Sequence, residues 1–270
     1  IIVGNKPLLI DKKDKKKDEK EAGKEAVKAG VLDILKETYD IHEEDFVSAE
    51  LEIVPAGKAR EAGFDRSITL AHGQDDRVCA YPALTAVLEV ENPERTALAI
   101  LTDKEEIGSE GNTGLNSDFL RYVIGDICHC FGKDATVALR NSKCLSADVN
   151  AATDPTFQDV MEKRNASFLN YGVVVTKYTG ARGKSDTNDA SAEYVAEIRS
   201  MLDNAKIKWQ IGELGKVDIG GGGTVAKYIA DMGVDVVDLG VPVLSMHAPF
   251  ETTAKFDVFM CYKAMYEFMK

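Results

Sequence analysis

The sequence predicts an α/β fold built on a doubly wound, mostly parallel sheet. Short apolar runs with the length of buried strands alternate along the chain with longer segments in which apolar residues recur at helical spacing. Strands that alternate with helices in this way usually form a largely parallel sheet with helices on both faces. The 270 residues can bury a sizeable core, either as one large domain or as one domain and a smaller one.

The opening region, 1–62, is charged and differs in patterning from the rest of the chain, so it predicts part of a smaller domain. The segment 11–20 mixes acids and lysines without an apolar face, which is typical of a loop. Apolar residues recur at near-helical spacing over 21–39, and alternation over 46–54 favours a strand. We therefore expect a larger domain over 63–270.

The larger domain alternates strand and helix patterns to its end. The segment 96–101 is a short apolar run typical of a buried strand, and three consecutive valines mark another strand at 171–177. The clearest helix, 191–205, is preceded by two candidate capping residues, Asp189 and Ser191. The remaining strands are predicted at 135–139, 144–147 and 234–239, and the remaining helices at 78–90, 117–131, 224–232 and 253–269.

Composition restricts the partners of the chain. Its net charge of -12 argues against nucleic acid or an anionic membrane, because no basic excess is present to neutralise phosphates. The same charge is compatible with a site that collects cations. The sequence shows neither a run of about 18 apolar residues nor a signal peptide, and its five cysteines lack the spacing of a disulfide framework, so we expect the cytoplasm.

One pair of cysteines could form part of a metal site. Cys128 and Cys130 flank His129 within an apolar helical run. This spacing is not usual for a zinc clamp, so buried thiols are the favoured interpretation.

Acidic side chains and one histidine lie where predicted strands end or a predicted helix begins. In an open α/β sheet such junctions gather at one edge. Three carboxylates and an imidazole together suit Zn²⁺, Mn²⁺ or Co²⁺, and of two adjacent carboxylates one can bind a metal while the other handles a proton. The positions are Asp75 and Asp76, Glu105 and Glu106 in a loop with glycines at 108, 111 and 114, Asp148, and His247.

Each of these residues alone also has a structural role open to it. Acids in a first helical turn, such as Asp75 and Asp76, complement the helix dipole and its free N–H groups. Asp148 could cap a helix, and a single histidine is more often a hydrogen-bonded, partly buried residue than a ligand. An isolated pair of glutamates is usually solvated surface in a chain with 45 acids.

Several phrases in the chain resemble the aspartyl aminopeptidase family of co-catalytic dizinc exopeptidases. The resemblance runs from about Val31 to the end, and it is specific because independent phrases occur in the family's order. Two further phrases, Ser185 to Ser191 and Leu214 to Thr224, are similar to bacterial members. The main phrases are His72-Gly-Gln-Asp-Asp-Arg-Val-Cys-Ala-Tyr81, Asp103-Lys-Glu-Glu-Ile-Gly-Ser109, Ser146-Ala-Asp148 and Ser245-Met-His247.

The resemblance implies a zinc exopeptidase-like fold with two divalent metal ions, zinc in the first place and cobalt or manganese as alternatives. It implies that Asp75 bridges the two metals. Asp148 would bind the first metal, and Glu106 and His247 would bind the second.

The resemblance also assigns the remaining roles. Glu105 would be the general base that takes a proton from the attacking water, and Lys177 matches a lysine near the substrate. The residues before about 62 resemble the end of an inserted dimerisation domain, which implies self-association. Peptides would be the substrates.

One departure from the family is serious. The family has a further histidine ligand in a His-x-Asp phrase, and that phrase is absent from this sequence. The sequence also starts at Ile1 within a strand-like run, so we expect residues upstream of it and expect 1–270 alone to be inactive.

Three functions remain open at this point. The leading one is an aminopeptidase that removes N-terminal residues, with acidic residues as candidates. A related carboxypeptidase or amide deacylase would keep the metal site, and an inactive metal-binding or assembly subunit would explain the missing histidine.

Overall fold

The computed structural model describes residues 4, 19–180, 182, 185–216 and 218–270. The chain divides into two compact units, 1–54 and 55–270. The predicted boundary at residue 62 stays a prediction. In that region a short strand, β1 (Arg60–Ala62), pairs antiparallel with β2 (Ile68–Ala71) inside the larger unit.

The smaller unit contains one long helix, α1 (Glu19–Tyr39), which confirms the helix predicted over 21–39. The strand predicted over 46–54 is wrong. A 3₁₀ turn occupies Glu43–Val47, and the Asp45 carboxylate closes it by accepting a hydrogen bond of 2.7 Å from the His42 N–H. The loop predicted over 11–20 lies outside the described residues, except that its last two residues begin α1.

The larger unit contains six helices and nine strands among its described residues. The helices predicted at 78–90, 117–131, 191–205, 224–232 and 253–269 and the strands predicted at 144–147, 171–177 and 234–239 are confirmed. Beyond β1 and β2, the elements are α2 (Gln74–Glu89), α3 (Phe119–Cys130), α4 (Ala135–Arg140), β3 (Lys143–Ser146), β4 (Asn150–Ala151), β5 (Val173–Thr176), α5 (Ala192–Asn204), β6 (Trp209–Ile211), α6 (Ala226–Ala230), β7 (Asp235–Gly240), β8 (Pro242–Val243), β9 (Glu251–Ala254) and α7 (Lys255–Met269).

The largest sheet is mixed. Its strand order is β3-β7-β5-β6, with β3 parallel to β7, β5 parallel to β6, and β5 antiparallel to β7. A second sheet, β1-β2-β9, is antiparallel, and β4 pairs with β8 in parallel. The α/β class is therefore confirmed, the sheet is less parallel than expected, and the doubly wound arrangement stays a prediction.

A continuous apolar core surrounds strands β5 and β7 of the largest sheet. The valines of β5 are fully buried with Val237 and Leu239 of β7, and helices α5 and α7 cover them. Burying each such side chain contributes about 1.5–3 kcal/mol relative to exposure. Ser191 caps α5 by accepting a hydrogen bond of 3.2 Å from the Tyr194 N–H, which decides between the two candidate caps.

Two of the strands predicted in the larger unit are also wrong. The run 96–101 hydrogen-bonds to no strand within the described ranges, and Leu98, Ile100 and Leu101 are 44%, 44% and 61% exposed. An apolar run forms a strand only when a neighbour satisfies its N–H and C=O groups. The run 135–139 is helix α4 instead, because Asp134 caps it by accepting a 2.8 Å hydrogen bond from the Val137 N–H.

The cysteine prediction is correct in part. Cys128 is buried, as expected, but Cys130 is exposed on the last turn of α3. No helix in the described part of the chain is long and apolar enough to cross a membrane.

Candidate metal centre

Two groups of possible ligand atoms share one residue, Asp75. A carboxylate oxygen of Asp75, one of Asp76 and one of Asp148 lie within 4.8 Å of one another. Asp75 also forms such a group with Glu106 and His247. The four residues predicted as metal ligands therefore fall into two adjoining groups, and Asp75 belongs to both.

The irregular first turn of α2 presents Asp75 and Asp76. Gly73 has a left-handed φ of 71°, and a Cβ there would lie 2.3 Å from the Arg77 guanidinium. The peptide between the two aspartates is cis. Neither aspartate has helical backbone angles, with ψ of 110° at Asp75 and 25° at Asp76. The two acids therefore stand ahead of the regular helix, so a simple helix-dipole role does not account for their geometry.

A tight loop presents Glu105 and Glu106. The two glutamates form a short 3₁₀ turn between Lys104 and Gly108, both of which are left-handed. The turn is closed by a hydrogen bond of 2.8 Å from the Ser109 N–H to the Lys104 carbonyl oxygen. Gly114 is required beside it, because a Cβ at this position would lie 2.0 Å from the Ser109 carbonyl oxygen.

The other two ligand candidates follow strands. Asp148 comes two residues after β3, and a Cβ on Gly240, at the end of β7, would lie 1.6 Å from its carbonyl oxygen. Only glycine allows the two strand ends to approach this closely. His247 follows β8 in a turn closed by a 3.0 Å hydrogen bond from the Ala248 N–H to the Ser245 carbonyl oxygen.

His247 contacts two carboxylates through one nitrogen. Its Nε2 atom lies 2.9 Å from Oδ2 of Asp75 and 2.7 Å from Oε1 of Glu106. The Asp75 side chain is only 9% exposed, whereas that of His247 is 57% exposed. The Asp75 carboxylate is therefore buried in the site, whereas the His247 imidazole is exposed to solvent.

The carboxylates of the centre raise one another's pKa. Burial and then the charge of Glu106 raise the pKa of Asp75 to about 6, and burial raises the pKa of Asp76 to about 11. Burial raises the pKa of Asp148, and the negative charges of Asp76 and Glu105 raise it further. For His247, burial lowers the pKa, but Glu106 and Asp75 outweigh that effect and leave it raised.

Glu105 lies close to both groups without belonging to either. Burial, followed by the charges of Glu106 and Asp75, raises its pKa to about 7. Its own charge raises the pKa of Asp76 and Asp148. A carboxylate that stays outside the ligand groups but beside them is free to exchange a proton.

The residues fit divalent metals. Oδ1 of Asp76 is buried without a hydrogen-bond partner, and such an atom needs a proton or a cation. Carboxylate oxygens with one imidazole nitrogen form a donor set that zinc accepts. One carboxylate can also contact two ions because it offers two oxygens.

Comparison with known proteins identifies the family. The sequence model described as "Aminopeptidase I zinc metalloprotease (M18)" matches residues 3–269. This chain belongs to the M18 peptidase family. The resemblance to aspartyl aminopeptidases is thereby confirmed, and a fission-yeast protein named aspartyl aminopeptidase 1, from Schizosaccharomyces pombe, is 30% identical over 77% of this M18 chain and 45% of its own length.

Bacterial M18 proteins are more similar. A probable M18 family aminopeptidase 1 from Clostridium acetobutylicum is 51% identical over 96% of this chain and 54% of its own length. The crystal structure of aminopeptidase I from the same organism matches with a TM-score of 0.88 at 49% identity, covering 100% of this chain and 57% of that one. A Thermotoga maritima M18 structure matches with a TM-score of 0.86 at 50% identity, over 92% and 56% of the two chains. The M18 chain thus spans about half the length of these relatives.

Lys177, predicted near the substrate and not as a metal ligand, pairs through its ammonium with the carboxylate of Asp189 in this M18 chain. The sequence interpretation named Asp76 beside Asp75 but assigned it no ligand role. It did not identify Glu251, which accepts hydrogen bonds from the backbone N–H groups of Asp75 and His247.

Proposed function

We propose that this M18 chain forms part of a metal-dependent aminopeptidase that hydrolyses N-terminal residues from peptides. The supporting observation is that Asp75 belongs to two groups of ligand atoms at once. In this proposal Asp75 bridges two metals, Asp148 binds the first, and Glu106 and His247 bind the second. Asp76 belongs to the same group as Asp148, and in this proposal its carboxylate helps to neutralise the charge of the first metal.

The metals, zinc in the first place, would polarise the scissile carbonyl and lower the pKa of the attacking water. Glu105 accepts the proton of that water and passes it to the leaving amine. Glu105 belongs to neither ligand group, so its carboxylate is free to take up the proton and release it again. Glu106 is held in the second ligand group, which fixes the backbone turn that presents Glu105.

We propose that Lys177 lies near the substrate, with acidic N-terminal residues as candidates. The name of the fission-yeast relative supports this specificity. The ammonium of Lys177 is shared with Asp189, so a substrate carboxylate would compete for it. A Lys177→Met variant that kept full selectivity for acidic over neutral N-terminal residues would contradict this role.

The proposal also includes self-association of the chain and a location in the cytoplasm. We propose that 1–62 belongs to a dimerisation domain, because apolar side chains in its described part, such as Val47 and Leu51, are exposed to solvent. The five free cysteines are compatible with the reducing cytoplasm.

The direct test is an assay of the whole gene product on matched peptides. An aminopeptidase cleaves a peptide with a free N-terminus and leaves the N-acetylated peptide intact. Cleavage from the carboxyl end, or of the acetyl group alone, would favour the carboxypeptidase or deacylase instead. No hydrolysis by a zinc-loaded protein would favour the inactive subunit.

A further inference from the structure

One buried carboxylate joins the two segments that carry Asp75 and His247. Glu251, at the start of β9, is 1% exposed. Its Oε2 atom accepts hydrogen bonds from the Gln74 N–H at 2.5 Å and the Asp75 N–H at 3.2 Å. Its Oε1 atom accepts a hydrogen bond of 2.8 Å from the His247 N–H.

The position of Glu251 is itself fixed by a buried polar network. The side-chain Nε2 of Gln74 donates hydrogen bonds to two backbone carbonyl oxygens, that of Glu251 at 2.6 Å and that of Thr69 at 3.1 Å. The Thr253 hydroxyl donates to the Gln74 amide oxygen at 2.5 Å. These bonds tie the first residue of α2 to strands β2 and β9, so Glu251 cannot move without disturbing both strands.

We propose that Glu251 is a positioning residue that sets the separation of Asp75 and His247 and thereby the affinity of the metal group they share. This inference rests on the metal-dependent function proposed above. Glu251 acts on the backbone of the two ligand segments and touches no reacting atom. Residues that orient metal ligands commonly contribute 10–100-fold to metal affinity, on the order of the effect expected here.

The chemistry of a carboxylate explains why Glu251 can join both segments. An ionised carboxylate accepts hydrogen bonds on both oxygens, whereas a glutamine amide accepts on one side and donates on the other. In a Glu251→Gln variant, the NH₂ group must therefore face either the N–H of His247 or the N–H groups of Gln74 and Asp75. Either orientation disturbs the Asp75/Glu106/His247 group, and only one of them also disturbs the Asp75/Asp76/Asp148 group.

A matched control exists in the same unit. Asp257 is fully buried, and its carboxylate accepts hydrogen bonds of 2.7 Å from the N–H groups of Asn170 and Gly172. Asp257→Asn makes the same chemical change as Glu251→Gln, away from the two ligand groups. A loss of stability without a role in metal binding should therefore be common to both variants.

The test measures stepwise zinc affinity by chelator competition in the whole gene product, together with thermal unfolding without metal. We expect Glu251→Gln to lose about 10–100-fold in affinity for the zinc held by Asp75, Glu106 and His247, and less for the zinc held by Asp75, Asp76 and Asp148. We expect Asp257→Asn to bind both metals as the wild type does. Should Glu251→Gln fail to fold, Glu251→Asp keeps the charge but is one methylene too short to reach both segments, and it should show the same selective loss.

The outcomes separate the two proposals. A folded Glu251 variant with wild-type affinity for both metals overturns the positioning role and leaves the proposed function intact. Equal losses in the Glu251 and Asp257 variants also overturn it, since they indicate a general structural effect. A wild-type protein that binds no zinc overturns the proposed function and this inference with it.

Discussion

The Nε2 atom of His247 lies 2.9 Å from the Oδ2 atom of Asp75, although 172 residues separate them in the sequence. The contact brings the turn after β8 against the irregular first turn of α2. Because Asp75 is also grouped with Asp76 and Asp148, it joins the imidazole to the rest of the acidic centre. The proposed two-metal centre of this M18 chain depends on that shared residue.

The first prediction concerns the base. Glu105→Gln should keep metal and substrate binding but lower kcat by about 10²–10⁴-fold, because the amide cannot accept the proton of the attacking water. The measurement is kcat and zinc content of the whole gene product. Glu110→Gln is the control, since Glu110 is an exposed glutamate of the same loop. Near-normal turnover of Glu105→Gln at full zinc content would show that another residue is the base.

The second prediction concerns pH. The pKa of Asp75 rises on folding from 3.8 to about 6, and that of Glu105 from 4.5 to about 7. The folded, metal-free protein therefore binds protons more tightly than the unfolded chain in this range. Its free energy of unfolding should fall as the pH rises from about 4 to about 7.

Thermal unfolding measures this effect. Without metal, Tm should be lower near neutral pH than at the acidic end of the range, and zinc should raise Tm most near neutral pH, where the carboxylates are ionised. Asp75→Asn should flatten the pH dependence of the metal-free protein. A Tm that rises with pH in the absence of metal would contradict the assignment of a repulsive acidic centre.

The sequence pointed to the candidate ligands but not to the residues that hold them in place. Asp75, Asp148 and His247 were candidates because acids and a histidine at predicted strand and helix ends are typical of a metal site, and the family resemblance implied their ligand roles. Glu251 could not be found, since it acts through backbone N–H groups and no spacing marks that role. The run 96–101 was misassigned because its apolar content does not say whether a neighbouring strand will pair with it.

The prediction of one short element was wrong for a related reason. The five residues at 135–139, four of them apolar, fit either a strand or a turn and a half of helix, and the Asp134 cap decides for the helix. The longer helices succeeded because three or more turns of periodic pattern leave less ambiguity. The direction of β5 against β7 depends on tertiary packing, so the sequence alone did not predict the mixed sheet.

The third prediction concerns self-association. Val47 is 90% exposed in the smaller unit, and Val47→Glu should weaken self-association at least tenfold, since a tenfold change needs only about 1.4 kcal/mol and an unpaired buried charge costs more. Sedimentation over a concentration series measures the change. Val160→Glu, at another exposed valine in the larger unit, should associate like the wild type. Identical behaviour of the two variants would argue against the smaller unit as the dimerisation surface.

The central claim is that Asp75 serves two metals, and zinc stoichiometry of the whole gene product tests it most directly. We predict two zinc ions in the wild type, loss of one in Asp148→Asn, and loss or severe weakening of both in Asp75→Asn, because an amide cannot offer two oxygens. Asp126→Asn, at an exposed aspartate on α3, should keep both. An Asp75→Asn protein that is folded and still holds two zinc ions with wild-type affinity would contradict the claim.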